Sequence, residues 1–436
     1  MMTLTGAVSA FCRREGIEFK GKTVLCALSG GRDSMALLHV LLSMSGAEGF
    51  AVAAAHYNHH LRETAQRDED LVREFCAAGG IPLAVGGGDV RTFARETGTS
   101  TEDAARTLRY RFLQETAEEL GADYIATAHH AQDNAETILM NLLRGTGLRG
   151  LGGIPPVRGR IVRPLLEVSR EDIDRYIEAN ALPYGEDETN ADTAYTRNRL
   201  RHELLPMLER LSPGSVERIA FTGSRLRMDG AYLEREAGKR LPPADSGGET
   251  TLPLALLRGE DPAIAVRLVR MAARRLGTEL TALQAESVLS LRSGTVALTG
   301  GVRAAREGKN LRFYRISPAP PPALLHFGEQ DWGEYRVTVR ETEDETAEDK
   351  NILLLRGDIG ELTIAPWDGT GRLAVENGRR TVKRLLADRG IPMSQRESRP
   401  ALFAGDALAA VFGAGVDRDF APVCGKKIVI TLVKRG

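Results

Sequence analysis

Along residues 22–180, short apolar runs alternate with segments whose apolar positions recur every three or four residues. A strand covered on both faces needs a continuous apolar run, whereas the helix that covers it needs one apolar stripe, so this alternation predicts a parallel sheet wrapped by helices. Strands are predicted at 23–28, 50–55, 82–85 and 124–127, and helices at 34–42, 65–78, 101–120 and 134–143. Gly21, Gly49, Gly80 and Gly121 fall where turns and helix caps belong. The expected class is α/β, a doubly wound parallel sheet. Residues 241–251, rich in Pro, Gly and Asp, read as a loop after a long basic, helix-compatible stretch, and 317–322 contain four prolines and read as a stiff extended linker. Beyond them, 334–341 alternate as a strand does. The division this predicts is 1–213 for the parallel-sheet domain, 214–316 for a mainly helical domain, and 317–436 for the linker and a small α+β C-terminal domain.

Composition narrows the class. A chain of 436 residues exceeds what one core usually serves. No run approaches the ~20 apolar residues of a membrane span, and Ala10-Phe11-Cys12 leads straight into Arg13-Arg14 with no apolar signal core. The expectation is a cytoplasmic protein with no membrane partner, and a homodimer is compatible with the sequence. Cys12, Cys26, Cys76 and Cys424 form no CxxC pair, which points away from a disulfide framework, a zinc site or an iron–sulfur cluster. The net charge of −1 conceals opposed segments: 378–436 hold 12 Lys/Arg against 5 Asp/Glu, 197–240 hold 10 against 6, and 329–361 hold 4 against 11.

Candidate chemistry starts at Ser29-Gly30-Gly31-Arg32-Asp33-Ser34, where the first strand passes into a helix. Phosphates bind at such junctions because helix-start amides point at the anion and glycines let the backbone approach it. Ser29 and Ser34 add hydroxyls, and Asp33 is suited to hold the magnesium that accompanies a nucleotide. There is no GxxxxGK[ST], so no lysine is aimed at a terminal phosphate. The bland alternative is a Gly-Gly turn capped by Ser34 or Asp33.

This hexapeptide resembles the loop of the pyrophosphate-loop (PP-loop) ATPases. The resemblance implies cleavage of ATP to AMP and pyrophosphate to activate a carbonyl-type oxygen, and it leaves the acceptor open. Further segments narrow it: 56–62 (HYNHHLR), 102–110 (EDAARTLRY), 128–137 (AHHAQDNAET), 144–147 (RGTG), 163–166 (RPLL), 187–190 (DETN) and 196–201 (TRNRLR). Together they resemble the tRNA(Ile)-lysidine synthetase family. Residues 254–314 resemble that family's substrate-binding domain. Residues 382–422, with Arg389-Gly390-Ile391-Pro392, Arg396 and Arg399-Pro400, loosely resemble its C-terminal domain, although 392–396 (PMSQR) lack the aromatic often found before that arginine.

The resemblance implies an ATP-dependent carbon–nitrogen ligase. ATP adenylates the carbon-2 oxygen of the wobble cytidine in a tRNA(Ile) with a CAU anticodon, and the ε-amine of free L-lysine displaces AMP to give lysidine. It also implies ATP contacts from Ser29, Gly30, Gly31, Arg32, Asp33, Ser34 and His56, with Mg2+ at Asp33 and Asp133. A lysine amine has a pKa of ~10.4, so presenting it neutral at pH 7 costs roughly 4.6 kcal/mol unless a base assists. Asp133 and Glu136, three apart at a predicted helix start, are assigned to lysine recognition and deprotonation. The same D-x-x-E spacing also fits an N-cap at Asp133 with Glu136 as its capping-box partner. Arg106 and Arg109, on adjacent helical turns, are both expected at the lysine or its adenylate partner, with Arg109 suited to clamp a phosphate or the lysine carboxylate. Arg197, Asn198 and Arg201 are expected at the adenylate, and with Asp33, Asp133, Glu136 and Arg109, Arg201 completes the expected catalytic set.

For RNA, Arg379, Arg380, Lys383, Arg384 and Arg396 in the basic C-terminal segment are expected to meet phosphates, while Arg267, Arg270 and Arg274 fit a solvated helix face almost as well. His56, His59, His60, His129 and His130 carry no metal-site spacing. The competing enzymatic reading is a PP-loop tRNA thiolase, which needs reactive cysteines; an ATP-sensing RNA-binding protein is the non-catalytic one.

Overall fold

The structure, a computed structural model, describes residues 3–61, 65–185, 196–245, 249–316, 319–343, 349–376, 378–396, 399–422 and 426–435. The 187–190 motif, Arg62, Cys424, 246–248 of the 241–251 loop and 317–318 of the proline segment lie outside the described residues. The chain divides into two compact units, Met1–Tyr232 and Leu233–Gly436.

The first unit runs α1 (Leu4–Arg14), β1 (Thr23–Ala27), α2 (Arg32–Glu48), β2 (Ala51–Asn58), α3 (Ala65–Ala78), β3 (Leu83–Gly87), α4 (Val90–Thr97), α5 (Thr101–Glu119), β4 (Tyr124–Ala126) and α6 (Ala131–Leu143). It continues through α7 (Leu148–Leu151), β5 (Val157–Arg158), β6 (Ile161–Val162), α8 (Arg170–Ala179), α9 (Thr196–Arg199) and a π-helical turn at Leu200–Leu204, then α10 (Leu205–Leu211) and α11 (Ser215–Arg240), whose last turns lie in the second unit. The sheet order is β3-β2-β1-β4-β6-β5, parallel except where β5 meets β6.

Alternate side chains of β1 enter opposite cores, as a pleated strand requires. Val24 and Cys26 pack with Leu37, Leu38 and Leu41 of α2 and Ile173 of α8, while Leu25 packs with Leu113 of α5, Ala53 and Ile125. Burial on both faces is what writes the uninterrupted apolar run. Helix α2 extends to Glu48 because Gly49, at φ +70°, closes it with its N–H on the Ser45 carbonyl. α1, α4 and α8 are helices beyond those predicted.

In the second unit, a four-stranded antiparallel sheet (Thr250–Pro253, Asn310–Arg315, Val302–Glu307, Gly294–Ala297) packs with helices Pro262–Arg275 and Ala282–Leu289 around Leu252, Leu268 and Phe313. Beyond it, a five-stranded and a four-stranded sheet share a core of Trp332, Val337, Ile364, Phe412 and Ile430. The strand predicted at 334–341 is Tyr335–Thr342, paired to Lys427–Lys434. One short helix, Val382–Asp388, packs on Trp367, Leu373 and Ala401.

Candidate active site

The carboxyl ends of β1, β2, β4 and β6 lie side by side, and in an open α/β sheet that edge is where ligands bind. The loop after β1 is held by its own hydroxyls. Ser34 Oγ donates to the Gly31 carbonyl at 2.9 Å and accepts from the Ser29 N–H at 3.1 Å, while the two serine hydroxyls stand 3.0 Å apart. Helix α2 starts on Gly31 with no side-chain cap, so neither Ser34 nor Asp33 is the cap the bland reading needed. Gly30 sits at φ +87°, and a Cβ there would stand 3.2 Å from the Asp68 carbonyl. The segment after α8 docks on this loop: Gly185 N–H donates to the Gly30 carbonyl at 2.9 Å, and any side chain at 185 would drive into the Asp68 carboxylate. Arg32 adds a tie, reaching Asp174 at 2.8 Å and the Tyr184 hydroxyl at 2.9 Å.

His56, buried at the end of β2, has Nδ1 2.9 Å from the Leu28 carbonyl. A carbonyl only accepts, so Nδ1 carries the proton and Nε2 keeps its lone pair. Burial pushes the His56 pKa down against the pull of that hydrogen bond, so the ring is neutral at pH 7.

After β4 the chain starts α6 at Ala131 with His130 as N-cap. His130 Nδ1 accepts from Gln132 N–H at 3.2 Å, and Asp133 Oδ2 accepts from His130 N–H at 3.1 Å. The capping box is therefore His130 with Asp133, which corrects the reading of Asp133 as cap and Glu136 as partner. The helix begins three residues before the predicted 134, because histidine also serves as a cap, and Glu136 is free for another role. Its side chain is fully buried and ion-paired twice, Oε2 to Arg197 Nε at 2.8 Å and Oε1 to Arg201 Nε at 2.6 Å. The same arginines reach Asp133 Oδ1 at 3.2 and 3.0 Å. The π turn at Leu200–Leu204 carries Arg201, and such turns recur at functional sites. Asn198 lies between the two arginines in sequence, on α9.

Asp33 extends this cluster. It accepts from Arg170 at 2.9 and 3.2 Å, and His130 Nε2 lies 3.7 Å from Asp33 Oδ2 and 3.6 Å from Asp133 Oδ2. Burial works to raise the Asp133 pKa, but the charges of His130, His129, Arg197 and Arg201 outweigh it and hold the carboxyl below its ordinary value. Burial likewise works against the Arg201 guanidinium, yet Glu136, Asp133 and Asp33 hold its pKa above normal. The result is a patch of paired anionic and cationic groups in which Asp133 is held as a carboxylate at neutral pH.

Among the described residues no group of three His, Cys, Asp or Glu side chains is arranged to hold a metal ion. Asp33 and Asp133 nonetheless each place a hard oxygen within 3.7 Å of His130 Nε2, and two carboxylates with substrate phosphates are a set that suits magnesium.

Arg106 and Arg109 project from α5 with guanidinium carbons 4.8 and 5.6 Å from the Tyr110 ring. His129 is 3.0 Å from the Thr127 hydroxyl; burial, and then the charges of Arg163, Arg106 and Arg109, outweigh the pull of Asp133 and lower its pKa to about 4. Arg379, Lys383 and Arg384 are exposed, whereas Arg380 reaches Asp388 at 3.5 Å and Arg396, half-buried, donates to the Ile391 carbonyl at 2.8 Å. Arg267 donates to the Ala263 carbonyl at 2.7 Å, and Arg274 pairs with Glu279 at 3.0 Å. The structure thus brings Asp33, Asp133, Glu136, Arg197 and Arg201 into one cluster. It adds His130 and Arg170, which sequence reasoning missed. Arg170 is set there only by the docking of α8 and carries no local signal.

Two family models match the chain: a PP-loop domain over residues 7–208 and the TilS substrate C-terminal domain over residues 362–429. The tRNA(Ile)-lysidine synthase of Geobacter sulfurreducens is 33% identical over 93% of this chain and 92% of its own length. That of Symbiobacterium thermophilum is 34% identical over 100% of this chain and 98% of its own. That of Parabacteroides distasonis is 46% identical over a narrower match, 47% of this chain and 46% of its own.

Proposed function

The chain belongs to the tRNA(Ile)-lysidine synthase family, and on that premise we propose that it converts the wobble cytidine of the CAU-anticodon tRNA(Ile) to lysidine with ATP and free L-lysine. It is an ATP-using, tRNA-modifying ligase built on a PP-loop domain. In the reaction, the cytosine carbon-2 oxygen attacks the α-phosphorus of ATP and pyrophosphate leaves. The neutral ε-amine of lysine then attacks carbon 2, the bond to the AMP oxygen breaks, and the amine loses its second proton.

The observation that carries this reading is the ion-paired cluster of Asp133, Glu136, Arg197 and Arg201 beside the Ser29–Ser34 loop. Amides and hydroxyls of that loop receive the phosphates. Arg170 and Arg201 offset charge on the pyrophosphate and the adenylate. Asp133 seats the lysine ammonium and, as its arginine partners turn to the developing phosphate charge, becomes basic enough to take the amine proton. Magnesium at Asp33 and Asp133 would neutralise phosphate oxygens. Arg379, Lys383 and Arg384 supply backbone contacts to tRNA, and exposed Phe221, Met228 and Tyr232 on α11 offer a second copy an apolar stripe in a homodimer.

The thiolase alternative is disfavoured by the thiols. Cys12, Cys26 and Cys76 are buried, and burial raises each pKa, that of Cys12 to about 12, so none is a ready thiolate.

The test is incubation with labelled lysine, ATP-Mg and total tRNA. Label in isoleucine tRNA, lost in Asp33→Asn and Asp133→Asn variants that melt like the parent, supports the assignment. Incorporation of sulfur without lysine refutes it, and light scattering decides the dimer.

A further inference from the structure

The Ser29–Ser34 loop carries one side chain that its phosphate chemistry does not use. Amides and the Ser29 and Ser34 hydroxyls supply its donors, whereas the Arg32 side chain turns onto α8 and the segment after it. Arg32 Nη1 donates to Asp174 Oδ1 at 2.8 Å, Nη2 donates to the Tyr184 hydroxyl at 2.9 Å, and the guanidinium carbon lies 4.5 Å from the centre of the Tyr184 ring. To reach a phosphate, this guanidinium would have to give up all of these contacts. Its backbone N–H, in the first turn of α2, stays available to an anion.

Asp174 receives more than Arg32. The same Oδ1 stands 3.3 Å from Arg170 Nε, and Arg170 Nη1 donates to Asp33 Oδ1 at 2.9 Å. Arg32, Asp174, Arg170 and Asp33 therefore form one chain of alternating charges, which ties two consecutive residues of the loop to a single carboxylate. Helix α8 gives that carboxylate a rigid base. Ile173 and Ile177 are buried in the core that holds Leu37 and Leu41 of α2, and His39 Nδ1 on α2 lies 2.8 Å from the Tyr176 hydroxyl on α8.

We propose that Asp174 is a positioning residue for ATP: by holding Arg32 and Arg170 at one oxygen it keeps the phosphate loop seated on α8 and aims Arg170 at Asp33, where the polyphosphate arrives. Arg32 is then a tether of the loop rather than a side-chain ligand of a phosphate. The proposal rests on the ATP-using reading of the loop and is independent of the nucleophile. Charge alone gives the opposite expectation, because removing an anion beside a polyphosphate site strengthens binding.

The experiment measures ATP-Mg affinity by calorimetry on the full-length protein, beside the KM values for lysine and tRNA. Asp174→Ala removes both contacts while keeping a good helix former on α8. It is expected to raise the ATP Kd roughly three- to tenfold with lysine KM within about twofold of the parent, and Asp174→Glu to lie closer to the parent. Arg32→Gln alone should weaken ATP by a similar factor, and in the Asp174→Ala background by less than about twofold, since the tether is already broken. ATP affinity in Asp174→Ala that equals or exceeds the parent's would overturn the proposal. So would an Arg32→Gln loss that multiplies in full in that background, which marks a direct phosphate ligand. Equal losses for ATP, lysine and tRNA together with a lower melting temperature would leave Asp174 a purely structural role and overturn it too. Should Asp174→Ala fail to fold, Tyr184→Phe keeps the test decisive: it removes one acceptor of Arg32 and is expected to weaken ATP while sparing lysine KM. A parent protein that binds no ATP would instead refute the underlying reading, before any variant is measured.

Discussion

Glu136→Gln is the most informative single change in the acidic cluster. The wild-type carboxylate, fully buried, accepts from Arg197 Nε at 2.8 Å and from Arg201 Nε and Nη2 at 2.6 and 3.2 Å. Glutamine has the same shape but one acceptor oxygen, so its amide nitrogen must face a guanidinium, donor against donor. Removing one partner of a buried ion pair costs about 3–5 kcal/mol. Here the arginine side chains are 35% and 27% exposed and keep Asp133, so a loss of about 2–3 kcal/mol is expected after discounting for solvent and the remaining partner. Urea unfolding of the Met1–Tyr232 unit within the full chain reads this as a lower midpoint at unchanged slope. Arg201→Gln added to Glu136→Gln should cost less than the sum of the single changes, with a coupling energy of about 1–3 kcal/mol. Lysine transfer should fall by more than about a hundredfold, because the charges facing the adenylate and the amine are no longer fixed. A variant within about 0.5 kcal/mol of the parent, or additive losses, would show that these contacts do not hold the site and would sink the argument.

Other consequences are as direct. His129 has a depressed folded pKa, so protons favour the unfolded chain: stability is fully present above about pH 6.5 and declines as pH falls toward about 4, by up to about 3 kcal/mol, and His129→Asn should flatten that part of a stability–pH curve. Gly30→Ala combines a left-handed φ with a 3.2 Å approach to the Asp68 carbonyl, so it should lower stability by about 1–3 kcal/mol and weaken ATP binding, and an unchanged melting temperature would mean the loop is not held as described. Lys383→Gln and Arg384→Gln, both exposed, should each reduce the slope of log tRNA affinity against log salt by about 0.7–0.9 without touching lysine KM; an unaltered slope would remove them from the tRNA surface.

What the sequence determined by itself is local chemistry and local periodicity. The run from Val24 to Leu28, the glycine pair after it and the helix that follows were legible because a buried parallel strand and a phosphate loop each leave a contiguous signature. The spacing of Asp133 and Glu136 was legible as a shared helical face, as was that of Arg197 and Arg201. Sequence could not say which of two readings of D-x-x-E applies, because both use the same letters. Only the fold decided it, by making His130 the cap and by laying the 197–201 segment, some 60 residues away, across Glu136. Arg170 at Asp33 and Arg163 behind Tyr110 belong to the same class. Their identities are ordinary in sequence, and their environment exists only once α8 packs on α2 and β6 pairs with β4. Periodicity reports what a residue does within its own element, whereas charge compensation and burial depend on elements far away along the chain. The tertiary structure alone therefore separated Arg170, Arg197 and Arg201, which have carboxylate partners, from Arg106, Arg109 and Arg163, which pair with none among the described residues.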